Sequence, residues 1–141
     1  MAWWICPNCD RQFGRFQQSH VCVPGMSLDE YYADQPPFHR EVAEAVIEHL
    51  RSEGDIHVEP VSVGVLIKHG RTIVELRPMK QWLALSFVLP YRVKHPRITR
   101  TMKMSGAGGS DAASHVVRVY AVDDIDDQVR EWLSAAMLTS D

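Results

Sequence analysis

The sequence predicts an α+β fold: an N-terminal zinc knuckle, then a helix, an antiparallel sheet of about five strands and a C-terminal helix packed on the sheet. Three observations carry that expectation. Metal-ligating residue types cluster before position 23, strand-type alternation is concentrated between Ile56 and Val122, and apolar residues at helical spacing flank that region on both sides. Strands grouped in the middle of a chain favour segregated over alternating α and β elements. With 141 residues, 45% of them hydrophobic, the chain can bury one core and carry a small appendage. We divide it into a knuckle appendage at 1–25 and an α+β domain at 26–141.

The knuckle comes first. All three cysteines, Cys6, Cys9 and Cys22, lie in this segment, and an odd number so closely spaced points to metal ligation over a disulfide framework. Cys6-Pro7-Asn8-Cys9 supplies two thiolates from one tight turn, and His20-Val21-Cys22 supplies a second pair after a stretch long enough to fold back. Cys6, Cys9, His20 and Cys22 would thus bind one Zn2+ with all four tetrahedral positions filled by protein. Such an ion is structural, since no position is left for water. The single residue between His20 and Cys22 is tighter than common finger spacing. The bland alternative, small buried apolar cysteines and a surface histidine, runs against their clustering.

After Pro24-Gly25, Ser27-Leu28-Asp29-Glu30 fits a capping box and opens a short helical turn through Tyr31 and Tyr32. Beyond Pro36-Pro37, the residues Phe38, Val42, Ala45, Val46, His49 and Leu50 form one amphipathic stripe, and Gly54 is placed to end that helix. Val61, Val63, Val65 and Ile67 alternate with Ser62, Gly64, Leu66 and Lys68 as in a strand. A turn at His69-Gly70-Arg71 leads to a second strand at Thr72–Arg77, and a turn at Pro78–Gln81 to a third at Trp82–Leu89. Thr99–Met104 and His115–Val122 have strand composition, joined by the Gly-rich loop Ser105–Ser110. Asp123 is positioned to cap a final helix with Ile125, Val129, Trp132, Leu133, Ala136 and Met137 on one stripe.

The formal net charge of −3 conceals an uneven distribution. Between Glu75 and Asp111 no acidic residue occurs, while Arg77, Lys80, Arg92, Lys94, Arg97, Arg100 and Lys103 all lie there. With Trp82, Tyr91 and His95 among them, that is the composition of a phosphate-contacting surface; the bland reading is a solvated loop neutralised by acidic helices. Ser105–Ser110 lacks the Lys and the following helix of a phosphate loop. Asp123, Asp124, Asp126 and Asp127 suit a helix N-terminus better than a hard-cation site. His39, His49, His57, His69, His95 and His115 have no spacing that pairs them, although His115 with Glu75 or Lys68 across the sheet is a conceivable pocket. No nucleophile elbow, paired-carboxylate motif or cofactor fingerprint is present, so no catalytic residue is assigned.

The succession Trp4, Cys6-Pro7-x-Cys9, Arg11, Phe13, Gln18-Ser19-His20-x-Cys22, then Leu28-Asp29-Glu30-Tyr31-Tyr32, Pro36-Pro37, Phe87-Val88-Leu89-Pro90, His115-Val116-Val117-Arg118-Val119 and Asp124-Ile125-Asp126-Asp127-x-Val129-x-x-Trp132-Leu133 resembles an uncharacterised bacterial family, domain of unknown function 5655. The likeness covers nearly the whole chain and includes the zinc-bearing N-terminus. It departs at the doubled Trp3-Trp4 and at Ile73-Val74-Glu75-Leu76, where such domains more often carry an aromatic residue. The resemblance implies the α+β fold but no activity and no catalytic residues.

The leading expectation is therefore a non-enzymatic zinc-binding accessory module that binds nucleic acid or another anionic ligand. A protein-interaction or assembly module, docking through Trp3, Trp4 and Phe16, is the alternative, and an enzyme with a histidine-containing pocket a further one. The opening residues hold no apolar run suited to a signal peptide or a membrane span, so the expected location is cytoplasmic, with no membrane partner.

Overall fold

In the computed structural model, residues 3–19, 27–104 and 111–140 are described. Pro24-Gly25 and the Ser105–Ser110 loop lie outside them. The predicted capping box forms: the Ser27 hydroxyl accepts from the Glu30 amide at 3.1 Å, and the Glu30 carboxylate accepts from the Ser27 amide at 3.3 Å. It opens α1 (Leu28–Tyr32), and α2 (Pro37–Arg51) follows with proline at its first position, where no amide partner is lost. α2 buries Val42, Ala43, Val46, Ile47 and Leu50. It ends at Ser52, not at Gly54.

The main sheet has six antiparallel strands: β3 (His57–Val61), β4 (Gly64–His69), β5 (Arg71–Pro78), β6 (Leu83–Leu89), β7 (Ile98–Lys103) and β8 (Ala113–Val119), in the spatial order β3-β4-β5-β6-β8-β7. The number exceeds the expected five because the alternating run at Val61–Lys68 is not one strand. It reverses at Ser62-Val63, pairing Val61 with Gly64 and Val58 with Ile67. Gly64 is required there, since a methyl group would overlap the Leu76 carbonyl oxygen. Ahead of the sheet, β1 (Trp4–Ile5) and β2 (Gln12–Phe13) form a separate two-stranded ribbon.

One face of the sheet is covered by α2 and α3 (Asp127–Leu138). Leu83, Leu85, Phe87 and Leu89 of β6 alternate into this core. Trp132 of α3 stacks on Phe87 at 5.3 Å, and Phe87 stacks in turn on the buried imidazole of His115 at 5.2 Å. The cap of α3 is Asp126, whose carboxylate accepts from the Val129 amide at 3.1 Å. The predicted cap, Asp123, lies instead in a 3-10 turn at Val122–Asp124, because Asp124 folds back to accept from the Tyr120 and Ala121 amides. No helix among the described residues is long and apolar enough to cross a membrane.

Candidate functional site

The face of the sheet opposite the helices divides into a covered part and an open one. Residues directly opposite across an antiparallel pair share a face, so the registers define one row running Glu59, Leu66, Glu75, Ser86, Val116 and Arg100 across all six strands. The β1–β2 ribbon, the described part of the expected knuckle, sits on the first end of that row. The Glu59 carboxylate, only 4% exposed, accepts from the Gln12 amide at 2.7 Å and from Arg11 Nε at 2.9 Å. Lys68 Nζ lies 3.2 Å from the same carboxylate, donates to the Gln12 carbonyl at 2.9 Å and stands 4.9 Å from the centre of the Phe13 ring. His57 Nε2 meets the Asp10 carbonyl at 2.6 Å. Trp3 packs edge-on to His69 and closes over Gly70, whose φ of +83° only glycine tolerates readily.

Within the knuckle, the Cys6 amide donates to the Arg11 carbonyl at 2.9 Å and the Asp10 amide to the Cys6 carbonyl at 2.8 Å. This tight turn, completed by Asp10 at φ 60°, buries Cys6 and Cys9 together. Two thiols held at one turn suit half of a tetrahedral zinc site. The other two predicted ligands, His20 and Cys22, lie outside the described residues.

Over β5, β6, β8 and β7 no described residue covers this face, which forms a groove of about 640 Å³. Its lining includes the small side chains Ala84, Ser86, Ser114 and Val116, with Arg77, Arg100 and Arg118 around the one carboxylate among the described lining residues, Glu75; Lys103 borders it from the end of β7, where its register opposite Ala113 belongs to the core face. Arg77 Nε lies 3.5 Å from Glu75, and the Arg118 guanidinium stands 4.2 Å over the Trp82 ring.

The basic segment is thus split. Arg77 and Arg100 stand on the open face and reach the groove, Lys103 only borders it from the opposite register, and Lys80, Arg92 and Lys94 lie exposed in connecting stretches. Arg97 is diverted to the helical side: its Nη1 donates to both Asp126 oxygens at 2.9 and 2.8 Å, and its Nη2 to the Asp124 carbonyl at 2.9 Å. Burial acts to raise the Asp126 pKa, but the Val129 amide and Arg97 outweigh it and hold the carboxyl below its ordinary value. The acidic cluster therefore serves a helix N-terminus. Arg118 was missed because it lies outside the acid-free window; its parity with Val116 on β8 was the available signal.

The six scattered histidines do not converge, and none lines the groove. His39 contacts Gln35, His49 contacts Ser134, and His69 contacts the Asp55 carbonyl. The conceivable pocket joining His115 to Glu75 or Lys68 does not form, since His115 pairs with Phe87 on the core face and Glu75 with Ser86 on the open face. His115 Nε2 accepts from the Val93 amide at 3.0 Å, while its buried Nδ1 has no partner of hydrogen-bond geometry among the described residues, the Phe87 and Ala113 carbonyls being only near neighbours. Burial pushes its pKa down, more strongly than the neighbouring Phe87 and Ala113 carbonyls raise it.

A family profile described as a domain of unknown function (DUF5655) matches residues 28–140. The match begins at α1, so the knuckle lies outside it. No curated protein and no solved structure matches the chain.

Proposed function

We propose that this chain, which belongs to the domain of unknown function family DUF5655, is a zinc-bearing, non-enzymatic accessory module that binds an anionic partner, nucleic acid before a small phosphorylated ligand, on the open face of its sheet. The observation that carries the reading is the groove itself, where Arg77, Arg100 and Arg118 surround one carboxylate. A concave surface of one sign attracts and retains polyanions. The test is fluorescence anisotropy with mixed-sequence oligonucleotides over a range of salt. Replacing Arg77, Arg100 and Arg118 by alanine should weaken binding and flatten the salt dependence by about 0.7 per lost phosphate contact on a single strand. Affinity unchanged in the triple variant overturns the proposal.

Zinc belongs to the same proposal, with Cys6, Cys9, His20 and Cys22 as ligands and a structural role. Its support is the pair of buried thiols at the Cys6–Cys9 turn. Native mass spectrometry should find one zinc per chain, lost on Cys6→Ser; metal-free protein of native stability contradicts it.

One observation favours a second reading as an assembly module. Phe16 is 75% exposed beside Trp4, their rings 6.2 Å apart. Trp3 is committed to Gly70 and His69 and is not available for docking. A mass that rises with concentration and falls back on Phe16→Ala would support this reading.

A further inference from the structure

The floor and rim of the groove limit what can lie in it. Arg77, Ala84 and Arg118 stand opposite one another on β5, β6 and β8. The two arginines therefore leave the main chain about 10 Å apart, two strand spacings. Arg100 enters from β7, opposite Val116 in the neighbouring row. Three arginines from three strands thus surround the floor, with Arg77 drawn toward Glu75 and Arg118 held over Trp82, so that they are spread along the rim. A compact phosphate would meet one or two of them, whereas a chain of phosphates following the rim can meet all three.

Glu75 sharpens the constraint. It stands on the floor between Leu66 and Ser86, and its pairing with Arg77 at 3.5 Å joins side chains 31% and 53% exposed. A pair so exposed holds weakly and exchanges readily for a ligand. A carboxylate there repels phosphate and accepts only from N–H or O–H donors. The ligand must keep its charge at the rim and turn donors toward the floor. Unpaired nucleotides do this, because the exocyclic amino groups of cytosine and adenine are donors.

The floor between the arginines is small and low, so planar groups can approach the sheet. At one end Trp82 adds an aromatic surface, with Arg118 held over it at 4.2 Å and the Tyr120 ring 6.4 Å away. Bases stack on aromatic rings and on guanidinium planes alike, and a guanidinium already held in place loses less freedom on binding. A duplex keeps its base faces inside its own stack and would offer this floor of methyl and hydroxyl groups little beyond phosphate.

We infer that the groove takes single-stranded nucleic acid with its bases turned onto the sheet, Trp82 and Arg118 forming the stacking platform and Glu75 accepting from a base amino group. The inference rests on the anion-binding reading above and adds the class of ligand to it.

The experiment compares three labelled probes with the 141-residue chain at one salt concentration: a mixed-sequence DNA strand of about a dozen nucleotides, an abasic strand of equal length, and the duplex of the first. The base-bearing strand should bind at least about fivefold more tightly than the abasic one, the low end of a single stacking contact. Trp82→Leu should remove most of that preference and leave the salt slope unchanged. Glu75→Ala should strengthen abasic binding while reducing the preference for oligo-dC over oligo-dT. If the abasic strand or the duplex binds as tightly as the single strand, the base-stacking inference is overturned and the anion-binding reading survives. If none of the three binds, this inference falls together with nucleic acid as the anionic partner.

Discussion

The main-chain amide of Gln12 donates to the carboxylate of Glu59 across 2.7 Å, joining the knuckle to the first strand of the sheet. Arg11 and Lys68 converge on the same group, at 2.9 and 3.2 Å. A buried carboxylate so engaged is costly to remove, because the cationic Lys68 is left buried without a counter-charge. Burial already lowers the Lys68 pKa, and Glu59 is the neighbour that counteracts this most. Glu59→Ala should destabilise the chain by about 3 kcal/mol and abolish hydrogen-exchange protection across residues 4–13. A loss below about 1 kcal/mol with the knuckle amides still protected would show that apolar contacts alone hold the knuckle.

Gly70 meets the knuckle from the other side. Its amide donates to Gln12 Oε1 at 3.0 Å, its φ is +83°, and a methyl group there would overlap the Trp3 indole. Gly70→Ala combines left-handed strain of about 1–3 kcal/mol with displacement of Trp3. Chemical denaturation should show that loss and tryptophan emission should shift to the red; native stability with native emission contradicts the packing described.

Arg97 and Arg100 lie three positions apart and serve opposite faces. Arg97→Ala should leave oligonucleotide affinity within about twofold and cost up to about 1 kcal/mol of stability, as exposed ion pairs do. Arg100→Ala should do the reverse. The Asp126 carboxyl has its pKa held below the ordinary value, so its contribution is complete above the ordinary carboxylate range and is lost as pH falls through the folded value. Equal effects of the two substitutions on binding would mean that the Arg97–Asp126 pair does not persist in solution.

His115 gives stability a pH dependence of known sign. Its folded pKa lies below the ordinary 6.5 because burial disfavours the imidazolium, so between those two values the unfolded chain binds more protons. Stability from this group is complete above pH 6.5 and declines as pH falls toward the folded value. His39, lowered by burial as well, adds the same sign. Urea denaturation between about pH 5 and 7 should show stability rising with pH, with a smaller slope in His115→Leu; an unchanged slope assigns the effect elsewhere.

Elements stabilised by their own local pattern were legible in the sequence. The Ser27–Glu30 capping box needs residues three apart, and the alternation of β6 and the stripes of α2 and α3 need only a period matched to one buried face. The hairpin at Ser62-Val63 was not legible, because the pair lacks the Asn-Gly or Gly-x signature of a tight hairpin and the alternation continues across the reversal; the close approach of Leu76 that requires Gly64 comes from another strand. The excess of cations from Arg77 to Lys103 was also plain in the sequence. Which of them face a ligand surface was not, since strand register sends Arg77 and Arg100 to the open face while the helix cap at Asp126 captures Arg97. By itself the sequence determined the periodicities, the caps, the pair of cysteines at one turn and the inventory of charge, all of which depend on neighbours along the chain. Only the tertiary structure decided the burial of Glu59, the recruitment of Arg118 and the separation of His115 from Glu75, because those depend on register between strands far apart in sequence, where a shift of one residue exchanges the two faces of the sheet.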